Sequence, residues 1–204
     1  FGLWARAGGV PALQAVAAGM DLADSWATDA HKWLNVPYDC GVAIVRDAEV
    51  HRAAMTSTAA YLVQAAGAER DAVDWVPEFS RRARGIPVYA ALRALGRAGV
   101  ADLVDRCCAR ARQFAEMLSA EPGVAILNEV VLNQVLVRFD DDATTRAVIA
   151  GVQADGTCWA SGTTWHGQAA MRISVSNWAT SEDDVAVSVA AMLRVYRAVR
   201  GRAD

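Results

Sequence analysis

The sequence predicts an α/β chain in two parts: an α/β piece to about residue 86, then a small C-terminal α+β domain over 87–204. Three observations carry this. Two short apolar segments around 23–45 flank a turn and read as strands between short helices. From Pro87 the pattern becomes helical and stays so to Leu118. Beyond Pro122-Gly123, short apolar strands alternate with two further helical patterns. With 204 residues, 54% of them hydrophobic, the chain can bury a sizeable core in one domain or two small ones.

Residues 10–19 are expected to form a short helix, with Pro11 early and Gly19 at the exit. Ala23–Thr28 and Gly41–Val45 read as strands joined through Asn35-Val36-Pro37. A small helix at 47–55 should carry Val50, Ala53 and Ala54 inward. Residues 56–79 show no convincing period and read as a long functional loop. The helical stretch breaks near Gly96 and Gly99. Its second half puts Val100, Leu103, Val104, Cys107, Ala111, Phe114 and Leu118 on one stripe. Val124–Leu127 and Gln134–Phe139 are predicted strands. Asp140-Asp141-Asp142 opens a helix to about Ala154, with acids where the helix dipole favours them. Thr157–Trp159 and Ala170–Val175 are two more expected strands. Thr180 with Asp183 resembles a capping box before a last helix with Val185, Val189, Met192, Tyr196 and Val199 on one face.

Lys32 is the only lysine; the other nineteen Lys/Arg residues are arginines. By composition alone, a single lysine in a chain that builds its positive surface from arginine is either chance or reserved for chemistry that arginine cannot do. Arginine stays protonated, whereas a lysine amine can lose its proton, attack a carbonyl and form an imine. His31, Trp33 and Leu34 are expected to surround the amine with aromatic and apolar surface and desolvate it. Net charge is −3 with acids and bases interspersed, so no nucleic-acid footprint is visible. The uncharged runs 7–20 and 53–68 stop short of a membrane span. Asp29 and His31 form Asp-x-His, too few ligand types for a metal site.

Asp24-Ser25, a short spacer, His31-Lys32-Trp33-Leu34 and Pro37-Tyr38-Asp39-Cys40-Gly41 together resemble the cofactor-lysine segment of the group II pyridoxal-phosphate (PLP) decarboxylases. That family includes the aromatic amino acid, histidine and glutamate decarboxylases. The resemblance implies fold type I: the end of the large PLP-binding domain over 1–86 and a small C-terminal domain over 87–204. It makes Lys32 the residue that holds PLP, with His31 and Ser25 as cofactor contacts; a packed structural histidine is the other reading of His31. Phe1-Gly2-Leu3-Trp4-Ala5 resembles a segment that follows the aspartate paired to the pyridinium nitrogen. The resemblance therefore implies the C-terminal portion of a longer enzyme, inactive by itself.

Tyr61 resembles the loop tyrosine that protonates the substrate carbon after CO₂ loss; an ordinary exposed tyrosine is the alternative. Ser80, ahead of Arg81-Arg82-Ala83-Arg84, matches a residue that shapes the substrate pocket, and the arginines read as structural. Arg172 in Met-Arg-Ile-Ser-Val either meets a substrate carboxylate or has an acidic partner in the fold. Trp165-His166-Gly167 would line the same mouth. The implied protein is a homodimer acting on an amino acid, aromatic ones preferred. Departures are Asp29, where animal members carry Asn, and Ala30, where they carry Pro. Aldehyde synthesis, transamination and a non-catalytic dimerisation or regulatory remnant stay open.

Cys40, Cys107, Cys108 and Cys158 have no metal-type spacing, and free thiols in a reducing cytoplasm are expected. All four should react with a thiol reagent after denaturation without reductant; titration below four would reveal a disulfide.

Overall fold

The computed structural model describes residues 1–57, 70–78 and 80–201. Packing divides the chain into two compact units. The first comprises Phe1 and residues 18–94; the second comprises residues 2–17 and 95–204.

In the first unit, β1 (Ser25–Asp29) runs directly into the single-turn helix α2 (Ala30–Trp33). The chain returns as β2 (Gly41–Val45), antiparallel to β1, pairing Ser25 with Val45 and Asp29 with Gly41. Helix α3 (Ala48–Met55) follows, with Asp47 accepting the backbone N–H groups of Glu49 and Val50. Val50, Ala53 and Ala54 were expected inside but are exposed, Val50 at 62%. The half-buried stripe of α3 is His51 and Met55, one turn apart. The His51 ring meets the edge of Trp75, centroids 5.4 Å apart, and its Nε2 lies 3.1 Å from the Trp75 carbonyl.

The second unit begins with α1 (Pro11–Val16), and the Gly9 N–H reaches the Asp105 carboxylate at 2.9 Å. Helix α4 (Gly85–Ser119) spans the division between the units and is broken at Gly96, whose φ of 61° and ψ of −175° are open to glycine. Every residue of the expected stripe from Val100 to Leu118 is buried. Cys108 is buried as well, and burial pushes its thiol up to about 11. A four-stranded antiparallel sheet follows in the order β3 (Val124–Ile126), β4 (Gln134–Phe139), β6 (Gln168–Ser174), β5 (Ser161–Trp165). Helix α5 (Asp142–Asp155) packs on the sheet and against α6 (Glu182–Arg200).

Two expectations shift here. The strand placed at Thr157–Trp159 is β5, further along, and Trp159 is 74% exposed. The hairpin fixes this register. His166 and Gly167 take φ of 47° and 79°, the two left-handed residues of a tight turn, so Trp165 must pair with Gln168. The capping box lies one residue later than expected: Ser181 Oγ accepts from the Asp184 N–H at 3.1 Å, and Asp184 Oδ2 accepts from the Ser181 N–H at 2.8 Å.

Nearly all the largest fully buried side chains, including Tyr196, Phe139, Leu118, Met171 and Met192, belong to the second unit. Burying each such side chain contributes roughly 1.5–3 kcal/mol, so cohesion is concentrated there. Tyr196 donates to Asp140 Oδ2 at 2.8 Å beside the Pro122 carbonyl, and burial raises its phenol above the usual range. Gly123 has φ of 86°, and a Cβ there would collide with Tyr196 Oη and Asp140 Oδ1. Gly123→Ala is expected to destabilise the chain by about 1–3 kcal/mol, read as a lower thermal midpoint in calorimetry.

Candidate active site

Local sequence places the site where β1 meets α2. Alternation along β1 leaves Thr28 buried, and Asp29 ends the strand with extended backbone, φ −99°. One turn of helix then presents His31, Lys32 and Trp33 in three directions, because successive helical residues point about 100° apart. Trp33 is fully buried; the Lys32 side chain is 47% exposed. The expected apolar enclosure of the amine is therefore not formed. Lys32 Nζ instead donates to Asp29 Oδ2 at 2.6 Å and lies 5.8 Å from the centroid of the Phe1 ring. This hydrogen bond is the main cause that holds the Asp29 carboxyl below the usual carboxylate range.

His31 has its orientation set by Cys40. The Cys40 carbonyl accepts the Ala30 N–H at 2.9 Å, and the Cys40 N–H points at His31 Nδ1 at 3.1 Å. The same Nδ1 also lies 3.2 Å from the Cys40 carbonyl, so both polar groups of that residue's backbone are within hydrogen-bond distance of one ring nitrogen. The ring stacks at a tilt on Tyr38, centroids 4.3 Å apart. Cys40 is held in turn through Asp39. Arg84 Nε donates to the Asp39 carbonyl at 3.1 Å and to its Oδ1 at 3.2 Å. Arg82 Nη2 reaches the carbonyls of Tyr38 and Asp39 at 3.0 and 2.9 Å. The guanidinium of Arg84, with the Asp39 backbone, holds the Asp39 carboxyl below its usual range. Reading the sequence marked these arginines as structural without finding what they hold. No local pattern links side chains more than forty residues apart.

The remaining candidates are distributed as follows. Ser25 is exposed at the start of β1, opposite Val45. Ser80 is exposed with φ of 49°, an unusual left-handed backbone for serine. Tyr61 lies outside the described residues. Arg172 is carried by the second unit, exposed on β6 opposite Leu136 and Ser161, and forms no ion pair among the described residues. Trp165-His166-Gly167 forms the tight β5–β6 turn. A cavity of about 800 Å³ in the first unit is lined by Thr28, Asp29, Cys40, His51, Arg84 and Tyr89 among others. Lys32 and His31 are not in its wall. No cluster of three or more His, Cys, Asp or Glu side chains suited to a metal ion occurs among the described residues. Among them, no helix is long and apolar enough to cross a membrane.

The strand β1 thus delivers the chain's single lysine amine, half exposed, beside His31 in a mixed α/β fold. Residues 5–140 match the family model described as the pyridoxal-dependent decarboxylase conserved domain, and the chain belongs to that family. It is 24% identical over 178 residues to phenylacetaldehyde synthase of Arabidopsis thaliana, covering 82% of this chain and 36% of that protein. It is 26% identical over 177 residues to histidine decarboxylase of Rattus norvegicus, covering 86% of this chain and 27% of that protein. The fold is similar to the crystal structure of Oryza sativa TDC with PLP and tryptamine, with a TM-score of 0.81 and 20% identity. That match covers 89% of this chain and 40% of the other. The fold is thus that of the fold type I PLP enzymes, and PLP is the family's cofactor. The chain spans about a quarter to a third of the length of these curated relatives.

Lys32 and His31 fit that cofactor by their chemistry: an accessible primary amine for an aldehyde, and a ring N–H able to donate to a phosphate oxygen.

The Asp39 node generates a prediction. Its depressed carboxyl contributes order above the ordinary carboxylate range and loses it as pH falls through that range. Hydrogen-exchange protection of the Ala30 amide, which donates to the Cys40 carbonyl beside Asp39, should therefore fall below about pH 4 in the native chain. In Asp39→Asn it should be lower at neutral pH and lack that acid step, while the β4 amides stay unchanged.

Proposed function

We propose that the protein carries out PLP-dependent decarboxylation of an L-amino acid, with Lys32 as the residue that holds the cofactor. The family match carries this reading, because it includes the segment in which the single lysine follows β1. When bound, the cofactor supplies the electron sink that lets an α-carboxylate leave as CO₂. The chain's own residues do the rest. Lys32 offers the amine, and His31 donates a ring N–H toward the phosphate, with Ser25 as a further contact. Ser80 shapes the substrate pocket, and Arg172 offers a guanidinium for a substrate carboxylate. Tyr61 delivers a proton to the substrate α-carbon. Residues 1–86 would then be the end of a large cofactor domain and 87–204 a small domain, in a cytoplasmic homodimer whose site lies at the subunit interface. Aromatic amino acids are the preferred substrates on resemblance.

The similarity to phenylacetaldehyde synthase supports a second reading, in which the product is an aldehyde. The fate of the substrate carbon separates the two: a proton placed on it yields an amine, whereas oxygen yields an aldehyde.

Lys32→Arg keeps the charge and removes the reactive amine. After incubation with PLP and borohydride, mass analysis should place a reduced adduct on Lys32 of the native protein. None should form at that position in the variant, and an adduct on Lys32→Arg at any side chain would refute the assignment. In the active enzyme Tyr61→Phe should keep CO₂ release and lower amine yield, with aldehyde and peroxide rising under air. Unchanged amine yield would remove Tyr61 from the mechanism.

A further inference from the structure

Asp29 occupies the N-cap position of α2. An aspartate there ordinarily turns its carboxylate onto N–H groups of the first turn. This one makes no such bond; its Oδ2 is on Lys32 Nζ at 2.6 Å. The carboxylate is ionised at neutral pH, since the same hydrogen bond holds it below the usual range. Asp29 also lines the cavity of the first unit, whereas Lys32 does not. The carboxylate that faces open space is therefore the partner of the chain's single side-chain amine.

We propose that Asp29 is a positioning residue that holds the Lys32 amine in reserve, so that the ion pair must open before Nζ can attack a carbonyl. An ammonium bonded to a carboxylate has no lone pair to offer. For attack, the ion pair parts, nitrogen gives one proton to solvent water, and the freed electron pair forms the N–C bond as the carbonyl π pair moves to oxygen. A second nitrogen proton and one proton returned by solvent leave with that oxygen as water. The product is a protonated C=N bond, and no oxidant or reductant is needed. For cofactor loading the inference rests on the proposed role of Lys32; for amine reactivity it stands apart from it. The side chains whose charge bears on Asp29 are Lys32 and the titratable His31. Both side chains of the pair are nearly half exposed, 47% for Lys32 and 42% for Asp29, so water competes and the restraint is small.

The test is reductive methylation of the 204-residue chain with formaldehyde and cyanoborohydride at neutral pH. A reference lysine peptide is included, and dimethylation of Lys32 is followed by mass. Asp29→Asn, close to isosteric, should raise the Lys32 rate about two- to fivefold. Raising ionic strength from about 0.05 to 0.5 M should speed the native chain and leave the variant unchanged, since salt screens an exposed pair. A role confined to local structure would not produce that salt dependence. Equal rates in both proteins, or no salt effect on the native chain, would overturn the proposal. If circular dichroism shows Asp29→Asn unfolded, the salt arm on the native chain decides alone. A parallel arm with PLP and borohydride keeps the two ideas apart: Lys32 methylated but never labelled by PLP counts against the cofactor reading and not against the restraint.

Discussion

Three parts of the first unit meet at the backbone of Cys40. Its carbonyl takes the N–H of Ala30, which opens α2, and its N–H points at the ring nitrogen of His31. The residue after it opens β2. One peptide thus fixes where the helix starts, how the histidine ring is held and where the return strand pairs. Neither the helix, at a single turn, nor a two-stranded ribbon is stable by itself. Their order is borrowed from this junction and from the Arg82 and Arg84 bonds that pin Asp39 beside it. The geometry of the candidate site depends on the same peptide, because both of its polar groups lie within hydrogen-bond distance of His31 Nδ1.

The two units solve the problem of cohesion differently. The second is built on burial: a sheet backed by α5, with Val135, Val137, Phe139 and Met171 fully enclosed. The first has few fully enclosed side chains among its described residues, Ala30 and Trp33 being the clearest. It relies on directional bonds: Arg46 to the Asp21 carbonyl, Trp26 Nε1–H to the Met20 carbonyl, and the arginine clamp. Bonds of that kind between exposed groups are individually weak and set geometry more than stability.

Much of this was legible in the sequence. The α4 stripe and the strands β2 and β4 were readable because their periods are clean and their ends carry Gly, Pro or Asp. Strand β5 was misplaced because Thr157-Cys158-Trp159 has strand-like composition, while the turn at His166-Gly167 sets the register from outside that segment. Helix α3 kept its boundaries and lost its orientation: the apolar residues were assumed to face inward, but the ring of Trp75 selects His51. At the site, the single lysine was plain from composition. Its partner was not, since an aspartate before a short helix reads as a cap, and only side-chain geometry shows the carboxylate on the amine.

The β1–β2 ribbon has one further consequence. Among the described residues each strand has a single strand partner, which leaves each with an outer edge. Such edges accept a further strand without regard to sequence. Half-exposed Ile44 on β2 adds an apolar reason to do so. The Asp24–Arg46 ion pair next to the Ser25–Val45 end is the kind of charge that makes strand addition costly there. At the other end the ribbon finishes at Asp29, itself paired to Lys32. The two charge pairs thus act as gatekeepers, and neutralising either would lower the solubility of the chain before it altered its fold.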